Sequence, residues 1–328
     1  MRSWSNGPSN DPGRNMEDEQ EETQRESGRT FPVRLMGEDD LPLIIEIDAK
    51  GGGISRPRYF EEKIDACIRE PGINISLVAE SDGLPVGFLL GLLFLGEFGV
   101  PSTRAVVHTI GVHPAFAHQG VAHALLEQFR RNLQALRIDS IHTLLNWDAF
   151  ELLHFFKSTG FRPGREVDLV WDSNRFPFSG GHTEVVLEQA APGHLETVAS
   201  IDAEMLNRRR RRYFETKLES SLKRPGHILF LVGKVDGEPA GFLVAGLYEG
   251  EFGIEEARGV IDSFGVREKY RHHGVASTLL EGMLNWLKDK QVHQVETLCR
   301  WNDWELLRFF EYVGFRPSSR LNLEWRFT

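Results

Sequence analysis
From about residue 31 the chain repeats itself at a constant offset of 154 positions. This repeat limits what the chain can fold into more than any other feature. Ile47-Asp48-Ala49 returns as Ile201-Asp202-Ala203, Arg58-Tyr59-Phe60 as Arg212-Tyr213-Phe214, and Gly87-Phe88-Leu89 as Gly241-Phe242-Leu243. Gly96-Glu97-Phe98-Gly99 returns as Gly250-Glu251-Phe252-Gly253, and Gly120 as Gly274. Gly160-Phe161-Arg162-Pro163 returns as Gly314-Phe315-Arg316-Pro317, and Trp171 as Trp325. The register holds without insertion, so the halves carry one fold in duplicate. Solenoid units repeat every ~20–50 residues; a copy of this length is a complete domain with a core of its own.

Each half predicts the same elements in the same order. In the second half Val185-Val186-Leu187 starts as a strand, and helical segments follow around Ile201 and over 213–222. Runs 228–235 and 240–248 are strand-like and joined by Asp236-Gly237, a strong hairpin signal; Asp82-Gly83 repeats it in the first half. Strand 259–266 enters a short loop, and the apolar spacing of Leu279, Leu280, Met283, Leu284 and Leu287 predicts a helix after it. A strand over 294–301, a helix over 303–312 and a last strand over 321–326 complete the unit. The fold class is α/β (α+β): two tandem domains, each a mixed, mostly antiparallel sheet flanked by helices. The expected boundaries are a disordered acidic tail over 1–30, a first domain over 31–172, a linker over 173–183 and a second domain over 184–328. Glu17-Asp18-Glu19-Gln20-Glu21-Glu22 marks the tail, and Pro177 with Ser179-Gly180-Gly181 the linker.

The chemistry concentrates after strand 259–266, in Val266-Arg267-Glu268-Lys269-Tyr270-Arg271-His272-His273-Gly274-Val275-Ala276-Ser277. A strand, a glycine loop and a helix N-terminus in succession aim free backbone N–H groups and the positive helix end at one spot, a cradle for a pyrophosphate. Gly274 and Ala276 let the backbone approach the anion, and Arg271 adds charge-assisted hydrogen bonds.

Arg-x-x-Gly-x-Ala, five residues after a strand-ending valine, resembles motif A of the GCN5-related N-acetyltransferases (GNAT), and the order of elements is similar too. The resemblance covers nearly everything outside the tail and linker. It implies acetyl-CoA as cosubstrate, with its pyrophosphate on the 271–277 loop, where His272 and His273 reach phosphate or ribose. It also implies that backbone groups of Phe264, Gly265 and Val266 hold the pantetheine arm and polarise the acetyl carbonyl. Asn302 is a further candidate contact, and Arg212 and Tyr213 lie where the family shapes its acceptor pocket.

Transfer to an amine needs a base. Asp262 lies two residues before Phe264, so strand alternation predicts that both side chains share a face. Glu251 is the second candidate, and together the two acids suggest a pocket for a cationic amine; singly, each also reads as a solvent-facing charge. The family's usual acid, a tyrosine on the helix after the fifth strand, falls on Phe310 here, with Tyr312 roughly 200° away around the helix. Asp303 reads as an N-cap. The run from Arg208 to Arg212 is either a solvated basic face or a recruiter of an acidic or RNA partner. Only Arg212 and Tyr213 are expected to keep a counterpart in the first half.

The first half departs at key places. Ala117 stands where Arg271 does and His108 where Asp262 does. A degenerate, structural first domain and a catalytic second domain follow, although His108 is a possible base with a pKa near neutrality.

Composition narrows the setting. A net charge of −10 argues against nonspecific nucleic-acid binding. No apolar run reaches the ~18–20 residues of a membrane span. The two cysteines, Cys67 and Cys299, occupy non-equivalent places, which suits reduced thiols in a cytoplasm. The twelve histidines show no ligand spacing, so no metal is implied. The expected function is acetyl transfer from acetyl-CoA to a primary amine, small-molecule or protein, with oligomeric state open. The rival reading is a noncatalytic acyl-CoA-binding module.

Overall fold
The structure, a computed structural model, describes residues 30–52, 55–64, 74–94, 96–99, 102–174, 184–248 and 256–327. The acidic tail, most of the linker, Cys67 and the candidate base Glu251 lie outside the described residues.

The first half runs β1 (Val33–Leu35), α1 (Leu41–Gly52), α2 (Pro57–Ile64), β2 (Leu77–Ser81), β3 (Leu84–Phe94), β4 (Arg104–Val112), α3 (Val121–Ala135), β5 (Ser140–Asn146), α4 (Phe150–Ser158), β6 (Arg162–Pro163) and β7 (Glu166–Asp172). The second repeats it as β8 (Val185–Gln189), α5 (Leu195–Leu206), α6 (Arg211–Lys223), β9 (Ile228–Val235), β10 (Glu238–Tyr248), β11 (Arg258–Val266), α7 (Val275–Lys288), β12 (Gln294–Arg300), α8 (Trp304–Tyr312), β13 (Arg316–Pro317) and β14 (Arg320–Arg326). Asp82 and Gly83 (φ 53° and 78°) match Asp236 and Gly237 (φ 52° and 79°), the two positive-φ residues a tight hairpin requires.

Helices cover both faces of each sheet. In the second half, Leu279, Leu280, Met283 and Leu287 of α7 pack with Leu243, Ala245 and Ile261. Ile201 of α5 and Phe214 of α6 pack with Phe242 and Val244 on the opposite face. The alternation of β10 sorts its residues between these two cores. Among the described residues, no helix is long and apolar enough to cross a membrane.

The sheets do not follow the sequence halves. The first has the order β1-β2-β3-β4-β5-β14-β6 and the second β13-β7-β12-β11-β10-β9-β8. The last strand of each half has crossed to the other sheet. All seven residues of β14 pair antiparallel with β5, from Arg320↔Asn146 to Arg326↔Ser140. β7 pairs in the same way with β12, from Glu166↔Arg300 to Asp172↔Gln294. The expectation that each half completes its own sheet therefore needs correction.

Buried ion pairs lock the exchange. Arg104 on β4 donates to both carboxylate oxygens of Glu166 on β7 at 2.9 and 2.8 Å. Arg320 on β14 donates to Asp168 on β7 at 2.7 and 2.9 Å and also to Glu296 on β12. Each pair bridges the two sheets. Such pairs add little net stability but fix which surfaces can meet, because removing one partner strands a buried charge.

Candidate functional site
Each half presents the same phosphate-sized loop. His272 (φ 63°) and Gly274 (φ 77°) lie in the left-handed region, as do His118 (φ 59°) and Gly120 (φ 87°). Gly274 gives α7 no side-chain cap, and the first amides of any helix lack intrahelical acceptors. The N–H groups of Val275, Ala276 and Ser277 therefore open the helix toward the loop, as an anion site needs. His272 and His273 are exposed, and Val275 is buried beneath them as the first core residue of α7. Among the described residues Arg271 makes one ion pair, at 3.1 Å to the exposed Glu305, a contact worth about 0–1 kcal/mol. It is free to turn to a phosphate.

Beyond the loop the central strands part. β11 and β12 pair in parallel only at Gly259↔Val295 and Val260↔Glu296. Among the described residues the rest of β11 has no strand on that edge. Phe264, Gly265 and Val266 are paired to β10 on their other side. The Thr297 hydroxyl donates to the Ile261 carbonyl at 3.0 Å at the base of the gap. The first half parts likewise after Val106↔His142, with Thr143 donating to the Val107 carbonyl at 2.9 Å. An open strand edge beside an uncapped helix start fits a thin thioester arm with a pyrophosphate behind it.

A bulge sets the chemistry of the gap. The β10–β11 register passes from Val244↔Ser263 to Ala245↔Ile261, leaving Asp262 as the extra residue. His108 is the extra residue in the first half, between Thr109 and Val107. The bulge breaks the alternation on which a shared face for Asp262 and Phe264 was expected. Phe264 packs with Phe309 and Phe310 in the α7 core, whereas Asp262 meets α6 on the other face.

There Asp262 is buried against Lys217, whose Nζ lies 2.6 Å from its Oδ2 and 3.1 Å from Glu97 Oε1. Glu97 belongs to the first half, in the short turn after β3. Burial pushes the Asp262 carboxyl above its usual range; the Lys217 ammonium opposes this, the Glu97 charge adds to it, and the Tyr248 hydroxyl donates to the carboxylate. Burial works against the Lys217 charge, but Asp262 and Glu97 overcome it and hold the ammonium well above its usual range. His108 stands in the equivalent place in the first half. Burial, then Lys63, holds its ring well below neutrality, so its expected near-neutral pKa needs correction.

The arginine run does not act as one face. Arg208, Arg209, Arg211 and Arg212 are exposed, but Arg210 is 7% exposed. Its Nε donates to Asp202 at 2.9 Å, Nη2 to Ser263 at 2.8 Å, and Nη1 to the carbonyl of Gly96 in the other half. Arg56 and Asp48 repeat the pair in the first half at 3.0 and 2.5 Å. The expectation that only Arg212 and Tyr213 keep counterparts is thus corrected, since 56 and 210 share the offset. Replacing Arg210 with Ala is expected to cost about 3–5 kcal/mol by leaving Asp202 buried and alone, readable as a lower urea midpoint at unchanged slope. Tyr213 is buried against Arg210 and Lys217, and among the described residues its hydroxyl has no partner.

Phe310 is a core residue, packed against Phe315 and Phe264 with no hydroxyl to offer, and Tyr312 is 82% exposed. Asp303 accepts from the Leu306 amide at 3.2 Å and caps α8, as its position implies. Asn302 is exposed just before it. Cys299 is a buried free thiol. Three residues were missed from the sequence: Lys217, Glu97 and Tyr248. Tyr248 carries a readable signal, because the offset sets it against Phe94 and so adds a hydroxyl to the second half alone.

A family model described as "Acetyltransferase (GNAT) family" matches residues 195–315, and one described as "Acetyltransferase (GNAT) domain" matches 73–163. The chain is a tandem GNAT protein. Solved structures share the architecture across both domains. A GCN5-related N-acetyltransferase from Sphaerobacter thermophilus is 17% identical with a TM-score of 0.62, covering 90% of this chain and 95% of that one. A tandem GNAT protein from the clavulanic acid biosynthesis pathway is 16% identical with a TM-score of 0.65, covering 90% and 98%. At these identities the likeness shows the fold alone. Both GNAT domains of this chain therefore keep the loop and the parted strands, while Asp262, Tyr248 and Arg271 occur only in the second.

Proposed function
We propose that the protein transfers an acetyl group from acetyl-CoA to a primary amine in its C-terminal domain, by direct attack in a ternary complex. The observation that carries this reading is the combination at β11: an uncapped helix start with Arg271 on one side and a buried, bulge-presented acid on the other. Acetyl-CoA supplies the activated acyl group. Arg271 and the α7 amides bind its pyrophosphate, and the open β11 edge orients the thioester. Asp262 takes the proton from the amine as the nitrogen–carbon bond forms and the carbon–sulfur bond breaks. Tyr248, whose hydroxyl is hydrogen-bonded to Asp262, would take the place of the missing helix tyrosine and protonate the leaving thiolate. Raised proton affinity suits a base, because transfer is most efficient when its pKa lies near the working pH. A cytoplasmic setting and a catalytically silent first domain complete the proposal.

Calorimetric titration of acetyl-CoA into the full chain tests it. One site is expected, weakened about 10–100-fold by Arg271→Ala, the loss of one charge-assisted contact. Two equal sites refute the silent first domain, and no binding refutes the transferase. The noncatalytic alternative rests on Phe310; it predicts acetyl-CoA binding with no thiol release in the presence of any amine.

A further inference from the structure
We propose that the cavity between the two halves is a single acceptor pocket, shaped for a primary amine carried on a small aromatic or aliphatic body. The inference rests on the transferase reading and names its substrate class.

The cavity holds about 70 Å³. A water needs about 10–15 Å³ on this measure, so the cavity takes in a compact molecule of a few groups. Its lining comes in pairs related by the 154-residue repeat: Val106 with Val260, Leu144 with Leu298, Phe94 with Tyr248. It therefore sits where the two sheets face each other, at the base of both strand gaps, since Thr143 and Thr297 line it too. One chamber adjoins both β4 and β11.

Its walls set the acceptor's body. Arg104, Arg320 and Arg258 also border the cavity, but each is turned to a carboxylate: Arg104 to Glu166, Arg320 to Asp168 and Glu296, Arg258 to Glu296. The Arg104 guanidinium lies over the rings of Phe94 and Phe98, 5.6 and 5.5 Å from their centroids. With these charges paired, and the remaining polar atoms of Arg104 and Asn322 buried behind the surface, rings, methyl groups and arginine stems are most of what a ligand meets. A polyhydroxylated or multiply charged acceptor would lose its hydration without replacement.

Asp262 sets the acceptor's head. It lines the cavity, and Lys217 stands behind it with Glu97. Asp262 thus presents a carboxylate to the cavity, and an amine seated there faces the group that must deprotonate it. The first-half equivalent is His108, a ring whose charged form burial disfavours.

Calorimetry on the full chain with phenethylamine, spermidine and glucosamine, each with and without acetyl-CoA, tests the proposal. Phenethylamine is expected to bind at least about tenfold more tightly than the other two. Val106→Phe, a first-half wall substitution far in sequence from Asp262, is expected to weaken phenethylamine at least about tenfold and to leave acetyl-CoA affinity and melting temperature unchanged. Should Val106→Phe melt early, Leu144→Met reads the same wall with a smaller change. Equal binding of glucosamine or spermidine, or indifference of phenethylamine to both wall variants, overturns the pocket. If acetyl-CoA binds nowhere, the transferase reading falls while the phenethylamine titrations still decide the pocket. If acetyl-CoA binds and phenethylamine does not, the pocket alone falls.

Discussion
Truncation after Pro317 unfolds the N-terminal sheet, although the deleted residues end the C-terminal half. The deletion removes β14, the partner of β5 along its whole length. Leu323 leaves the first-half core, a loss of about 2 kcal/mol. Without Arg320, Asp168 and Glu296 lose a buried partner, about 3–5 kcal/mol more. Native domains have only about 5–15 kcal/mol in hand. Hydrogen exchange at residues 104–112 and 140–146 is the direct readout: protection there collapses in the truncated chain. Retained protection would show that the exchange of strands is not how the protein is built. The same pairing means that residues 31–172 expressed alone lack a strand of their own sheet and carry one that belongs elsewhere. Separated halves are therefore poor reagents for assigning acetyl-CoA sites.

Asp262→Asn is expected to lower the rate of thiol release from acetyl-CoA by about 10²–10⁴, the range for loss of a positioned base, with acetyl-CoA affinity unchanged. The pH dependence carries more information. A base works in its deprotonated form, so the rate falls as pH drops through the Asp262 pKa. Burial raises that pKa, so the acid limb lies above the ordinary carboxylate range. Glu97→Gln removes a negative neighbour, makes Asp262 easier to ionise, and moves the limb to lower pH. Lys217→Met removes the opposing ammonium and moves it to higher pH. A merely structural role for the trio predicts loss of protein in both variants without opposite shifts. An acid limb that both variants leave in place would rule out Asp262 as the base.

The order of elements in each half, the hairpins at Asp82-Gly83 and Asp236-Gly237, the loop at Arg271 and Gly274 and the cap at Asp303 were all legible in the residues. These depend on local periodicity, turn chemistry and helix ends, which neighbours in sequence decide. The direction of the Asp262 side chain was not. Alternation is a rule for regular strands, and one bulge residue reverses it. Lys217 and Glu97 were hidden for a related reason, since 45 and 165 positions separate them from Asp262 and only the packing of α6 and of the turn after β3 brings them together.

Two copies of one fold, with Arg271, Asp262 and Tyr248 in the second alone, are written in the order of residues. Only the tertiary structure decided which sheet each last strand joins. Because β7 and β14 descend from one repeat, either satisfies the local pairing pattern of either sheet. What separates them is charge: Glu166 in one stands where Arg320 stands in the other. In the exchanged arrangement Glu166 meets Arg104, and Arg320 meets Asp168 and Glu296. Buried charges tolerate few partners, so these long-range pairs hold the two sheets face to face around the cavity that both halves share.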